Sequence, residues 1–228
     1  MPEFFRKAGD ELAEMSMAPD YWKDASLPHL RSAEQADHYI NLEWFKDKPL
    51  PQHRAELMFL VKKKKEVGFL PYAIQEGYER LLLAFYDHRR HPNSQAAQHR
   101  ALVYAGWLAH YCEDASMPLH TTQFFNGKVG PNKEWIQKGI HAKIDAYPEK
   151  HGFTADMLAQ DWTIEHVADV WTRLWKTIHQ AHKQVDRCYE LDAQGAFDTA
   201  PEKGRELMLE CARAGAKLTA DIWFSAWI

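Results

Sequence analysis

Apolar positions recur every three to four residues over most of the 228-residue chain, the period of a helix that buries one face. In residues 71–90 the stripe is Ile74, Tyr78, Leu81, Leu82 and Phe85. In residues 93–114 it is Ala97, Ala101, Ala105, Leu108, Ala109 and Cys112, with Asn93 and Ser94 as N-cap candidates. Residues 163–191 carry Val167, Val170, Trp171, Leu174, Trp175, Ile178 and Val185, and residues 201–227 carry Leu207, Cys211, Leu218, Ile222 and Trp223. Each of these stretches reads as one helix, as do residues 2–17, and a short helix is expected at residues 141–145. No alternating run bounded by turn residues argues for a strand. Residues 17–50 and 116–139 read as irregular; the second holds Asn126, Gly127, Gly130, Pro131 and Asn132, a composition that works against regular structure. The pattern predicts an all-α fold: a single compact multi-helix domain over 1–228 with long loops.

A hydrophobic content of 46% supports one sizeable core at this length. The formal net charge of -4 supplies no global basic field for nucleic acid or an anionic membrane, so a polyanion would have to be gripped locally. The run Lys62–Lys65 reads as a solvated helix end. Cys112, Cys188 and Cys211 are too few and too scattered for a disulfide framework or a zinc finger. The opening residues lack the basic leader and apolar stretch of an export signal, and no apolar run is long enough to span a bilayer.

The chemistry gathers in the segment His110-Tyr-Cys-Glu-Asp114-Ala-Ser-Met-Pro118-Leu-His120. On a helix, His110 and Asp114 project from one face, close enough to share a metal ion. Pro118 interrupts the helix, and a turn there can bring His120 back to the same place. A second pair at the same spacing, His141 and Asp145, follows the glycine-rich loop. Imidazole nitrogen and carboxylate oxygen together suit zinc, and three protein ligands plus water is the minimum for a catalytic ion. Upstream, Asp20 and Asp37-His38 lie beside aromatic residues in irregular sequence.

These residues together resemble the zinc-dependent phospholipase C superfamily, which includes the fungal single-strand-specific nucleases. Its signature is a histidine, an aspartate four on, Pro-Leu-His or Pro-Met-His, and a later His-x-x-x-Glu or His-x-x-x-Asp. Here these are His110, Asp114, Pro118-Leu119-His120, and His141 with Asp145. Pro19-Asp20-Tyr21 and Asp37-His38-Tyr39-Ile40 are similar to the family's early aspartate and histidine ligands. The resemblance implies one zinc held by Asp20, His38, His110 and Asp114, and a second held by His120, His141 and Asp145. Asp24 is the rival of Asp20. It also implies a third zinc on an N-terminal tryptophan and a nearby histidine. No such pair precedes Asp20 here, and the expectation is that the chain shown omits a first helix and an export signal, restoring a third metal and an exported protein.

The implied activity is hydrolysis of a phosphodiester, with Asp20 orienting or deprotonating the attacking water and Asp114 fixing the ligand cage. A phospholipid head-group ester is the first expectation for substrate. Single-stranded nucleic acid is the alternative within the family, with Trp44, Phe45, Phe124 and Phe125 as stacking candidates. A non-catalytic zinc-stabilised binding domain is the alternative of a different class; it calls for saturated coordination, whereas His120, His141 and Asp145 leave a position open. No partner protein is inferable.

Overall fold

The computed structural model describes residues 1–45, 49–61, 67–160 and 162–228. The lysine run at residues 62–65 lies outside the described residues. In chain order the helices are α1 (Glu3–Arg6), α2 (Gly9–Tyr21), α3 (Pro28–Glu34), α4 (Arg54–Val61), α5 (Leu70–Arg90), α6 (Gln95–Asp114), α7 (Ile140–Asp145), α8 (Tyr147–Lys150), α9 (Ala155–Leu158), α10 (Val170–His182), α11 (Val185–Ala193) and α12 (Arg205–Trp227). Short 3-10 turns cover Gln35–His38, Leu42–Trp44, Pro118–Thr121 and Pro201–Lys203. A two-stranded antiparallel ribbon, β1 (Lys128–Val129) with β2 (Trp135–Ile136), pairs Lys128 with Ile136 and Val129 with Trp135. The described chain is thus essentially all-α. Among the described residues no helix is long and apolar enough to cross a membrane.

The central element is α6, which lies against α5, α2 and α12. Its stripe of Ala101, Ala105 and Leu108 is fully buried, as are Leu81 and Phe85 of α5 and Leu218 and Ile222 of α12. Small residues let the neighbours come close. A Cβ at Gly106 would fall 2.4 Å from Met15 Cβ and 3.1 Å from Leu12 O, so α2 rests directly on the α6 backbone. Ser94 caps α6, its side chain accepting from Ala97 N at 3.3 Å. A second core of Leu119, Ile140, Ile144, Tyr147, Leu207 and Met208 fastens α7 and the turn at Pro118 to α12. Each such side chain contributes about 1.5–3 kcal/mol on burial.

Several expected boundaries change. Residues 2–17 form two helices, with a break at Lys7-Ala8, and the second runs through Pro19 to Tyr21. The expected helix over residues 163–191 is two helices preceded by extended chain. Glu165 N donates to Asp221 Oδ1 at 2.9 Å and Val167 N to Ser225 Oγ at 2.8 Å, so side chains of α12 satisfy the backbone that a helix would have paired. Helix α10 then starts at the Asp169 cap, which accepts from Thr172 N at 3.0 Å. Residues 201–227 divide at Gly204, where the chain passes so close to Phe197 and Ala196 O that a Cβ would clash. The segment read as irregular at residues 17–50 includes α3 and two 3-10 turns, and the one at 116–139 includes a 3-10 turn and the ribbon.

Candidate metal centre

Helix α6 ends at Asp114, so His110 and Asp114 stand on its last turn, pointing the same way. Pro118 starts the 3-10 turn that swings His120 back toward them. There His120 Nδ1 lies 2.8 Å from His38 O and 3.1 Å from Asp114 Oδ1. A carbonyl oxygen can only accept, so Nδ1 carries a proton, and in the neutral ring Nε2 keeps its lone pair. That nitrogen faces His141 Nε2 at 3.2 Å and Asp145 Oδ1 at 3.5 Å. Helix α7 supplies both partners, starting after Gly139, whose φ of 94° favours glycine.

The second group forms around His38. The segment after it is pinned on both sides: Ile40 N donates to His120 O at 2.9 Å, and Asn41 N to Val67 O at 2.7 Å. Gly68 bridges to Ile40 with φ of 83°, and a Cβ there would fall 2.0 Å from Tyr39 O, so only glycine fits. His38 Nδ1 is thereby held 2.9 Å from His110 Nε2, 3.1 Å from Asp114 Oδ2 and 3.9 Å from Asp20 Oδ1. Asp20 Oδ1 is 3.5 Å from His110 Nε2 and Asp114 Oδ2 is 3.4 Å from it. Tyr111 packs its edge against both His38 and His110.

Six residues anticipated from sequence therefore converge in two groups that could each hold a metal ion: Asp20, His38 and His110, and His120, His141 and Asp145. Asp114 is buried between them, one oxygen toward each. The donor set fits an ion. A tetrahedral zinc at about 2.0–2.1 Å from its ligands would hold them about 3.3 Å apart, and the nearest donor separations here are 2.9–3.9 Å. Two pairs of imidazole nitrogens point at each other, His38 Nδ1 at His110 Nε2 and His120 Nε2 at His141 Nε2.

Burial pushes the His38 and His141 imidazoles below their ordinary range. Burial alone would raise the Asp114 carboxyl, but the His120 and His110 rings and their hydrogen bonds hold it well below the usual carboxylate range. Conversely, burial disfavours charge on His120, yet the Asp114 carboxylate beside it holds its pKa well above the ordinary imidazole value. Asp24 stands apart, exposed on the turn after α2, where its Oδ1 accepts from Ser26 N at 2.7 Å. Asp37 also turns away from the groups, held by Arg54, which in turn grips Glu76.

The groups lie between two hollows. One, of about 440 Å³, is lined by Lys23, His38, Tyr39, Trp44, Phe125 and His141 among others. The other, of about 390 Å³, is lined by Asp20, His110, Glu113, Asp114 and Asp145 among others. No protein-family model and no curated protein matches this chain. The residue sequence reasoning missed is Lys23, which lines both hollows and pairs with Asp20 Oδ1 at 2.5 Å. Reading α2 as continuing through Pro19 would have found it, three residues after Asp20. Of the aromatic candidates, Trp44 and Phe125 line the larger hollow, Phe124 is exposed and Phe45 packs on the core.

Proposed function

We propose that this chain is a zinc-dependent phosphodiester hydrolase related to the zinc-dependent phospholipase C and single-strand nuclease superfamily. The observation that carries the reading is the pair of His/Asp groups bracketing Asp114 at the junction of two hollows. His38, His110 and Asp20, with Asp114, would hold one ion and His120, His141 and Asp145 the other; such ions, when bound, acidify water and neutralise phosphoryl charge. Nitrogen and carboxylate donors in these proportions suit zinc.

The chain's own side chains supply the rest. Asp20 is 56% exposed on its side chain, free to orient or deprotonate water in the groove, whereas the enclosed Asp114 orients the histidines. The Lys23 ammonium, which pairs with Asp20 and lines both hollows, offers a partner for a phosphoryl oxygen. Trp44, Phe125 and Tyr39 wall the cavity that takes the organic part of the ester. The three-residue group of His120, His141 and Asp145 leaves a coordination position for water, which favours hydrolysis over a purely structural role. Those aromatic walls also keep single-stranded nucleic acid as a second reading for the substrate, since bases stack on such rings.

Protein purified with zinc present should carry about two ions per chain and cleave a chromogenic phosphodiester. Cleavage should stop on chelation and return with added zinc. Less than about half an equivalent of metal per chain overturns the metal centre, and absence of turnover by the zinc-loaded chain overturns the catalytic claim.

A further inference from the structure

Exposed apolar residues concentrate beside the cavity mouth. Phe124, Phe125, Val129, Trp135 and Ile136 are 40% to 60% exposed, all within the short stretch that leads into α7. The ribbon register divides them. Lys128 is paired with Ile136, and its ammonium lies 4.2 Å over the Tyr189 ring and 2.9 Å from Asp186, so that face turns toward the body. Successive residues of a strand point to opposite faces, which leaves Val129 and its partner Trp135 outward. The Trp135 ring lies over Gly127, and Phe125, two residues before it, lines the cavity with its edge against His141. Phe125 beside a candidate metal ligand and the outward face of the ribbon are thus linked through the short segment Asn126–Gly127.

That segment is held in a fixed posture. Gly127 N donates to Tyr189 OH at 3.1 Å, and Gln137 Nε2 donates to Tyr189 O at 2.8 Å and Asp192 Oδ2 at 2.9 Å. A ribbon with two residues a side has no core of its own, and several large apolar side chains exposed together mark a surface that meets something apolar. Lys133 and Lys138 are exposed beside it, at the tip and on the return strand's far side. Trp with flanking lysine is the composition that settles at the head-group level of a bilayer. Nucleic acid fits less well: Val129 and Ile136 have no ring face on which a base could stack.

We propose that the ribbon and Phe124–Phe125 form a docking surface for a phospholipid bilayer, seating the cavity mouth among the head groups. This deepens the phosphodiesterase reading and rests on it for the identity of the cavity as the active site. The test is cosedimentation of the zinc-loaded full chain with vesicles of phosphatidylcholine and phosphatidylserine, beside a variant carrying Val129→Ser and Trp135→Ser. Wild type should sediment, and the variant's partitioning should fall roughly tenfold for each side chain removed. Its zinc content, circular dichroism and cleavage of a soluble chromogenic phosphodiester should be unchanged. As a check that needs no variant, lipids brominated along their acyl chains should quench tryptophan fluorescence of the wild type. Absence of sedimentation, equal sedimentation of the variant, or absence of quenching overturns the proposal. So does loss in the variant of single-stranded oligonucleotide binding without any vesicle binding, which would make the ribbon a nucleic-acid platform. Vesicle binding that persists while the chromogenic ester is never cleaved removes the hydrolase reading and leaves the docking surface standing.

Discussion

Asp114 is the side chain on which both groups depend. It is buried and lies within 3.4 Å of ring nitrogens of His38, His110 and His120. Asp114→Ala should therefore strip metal from both groups and cost about 3–5 kcal/mol in urea unfolding, as for a buried ion pair that loses one member. Asp24→Ala should leave metal content unaltered and move stability by less than about 0.5 kcal/mol, because Asp24 only tightens an exposed turn. Metal analysis of the two variants side by side checks the choice between Asp20 and Asp24 as well. The candidate ligands on helices were legible in the sequence because helical spacing of four fixes the relative direction of two side chains. His38 was legible only through resemblance, since its position depends on Gly68, Val67 and His120 O, contacts far away in the chain. Lys23 was hidden by Pro19, which looks like the end of a helix and is not one.

At the scale of elements, the distance from Asp20 to His110 is set by how closely α2 lies on α6. Gly106 is the point of closest approach, with Met15 where a side chain would go. Gly106→Ala should push the helices apart, costing about 1–3 kcal/mol by overpacking and weakening metal retention although no ligand is altered. Equilibrium unfolding and zinc competition with a chelator measure the two effects, and a variant that loses neither would show that the contact is slack. The long helices α5, α6 and α12 were legible from their apolar stripes, while the breaks were not. Extended chain at residues 163–169 exists because Asp221 and Ser225 of a distant helix take up its amides, and no local pattern announces that. The ribbon escaped for a different reason: with Val129, Trp135 and Ile136 all exposed, it has no buried face to generate an alternating pattern.

For the whole molecule, the buried charges tie stability to pH. His120 has its pKa raised by Asp114, so its contribution is complete below the unfolded imidazole value of about 6.5 and is lost as pH rises through the folded value. Asp114 has its pKa depressed, so its contribution is complete above about 3.9 and is lost as pH falls through the folded value. The His120–Asp114 pair should accordingly stabilise chelated protein most between about pH 4 and pH 6.5. Zinc-loaded protein should shift its optimum upward, because zinc competes with protons for the same imidazoles. Thermal unfolding across a pH series, with and without chelator, checks both optima. The enclosure of α6 by α2, α5 and α12 has a kinetic side too. Its amides should exchange with deuterium only when the entire fold opens, whereas the six-residue α7 and the 3-10 turn at His38 can open alone. An ion that takes a ligand from either element would escape through such brief local excursions while the core stays shut. Its residence time is then governed by the outer elements, and a molecule that has released its ions remains folded and ready to take up others.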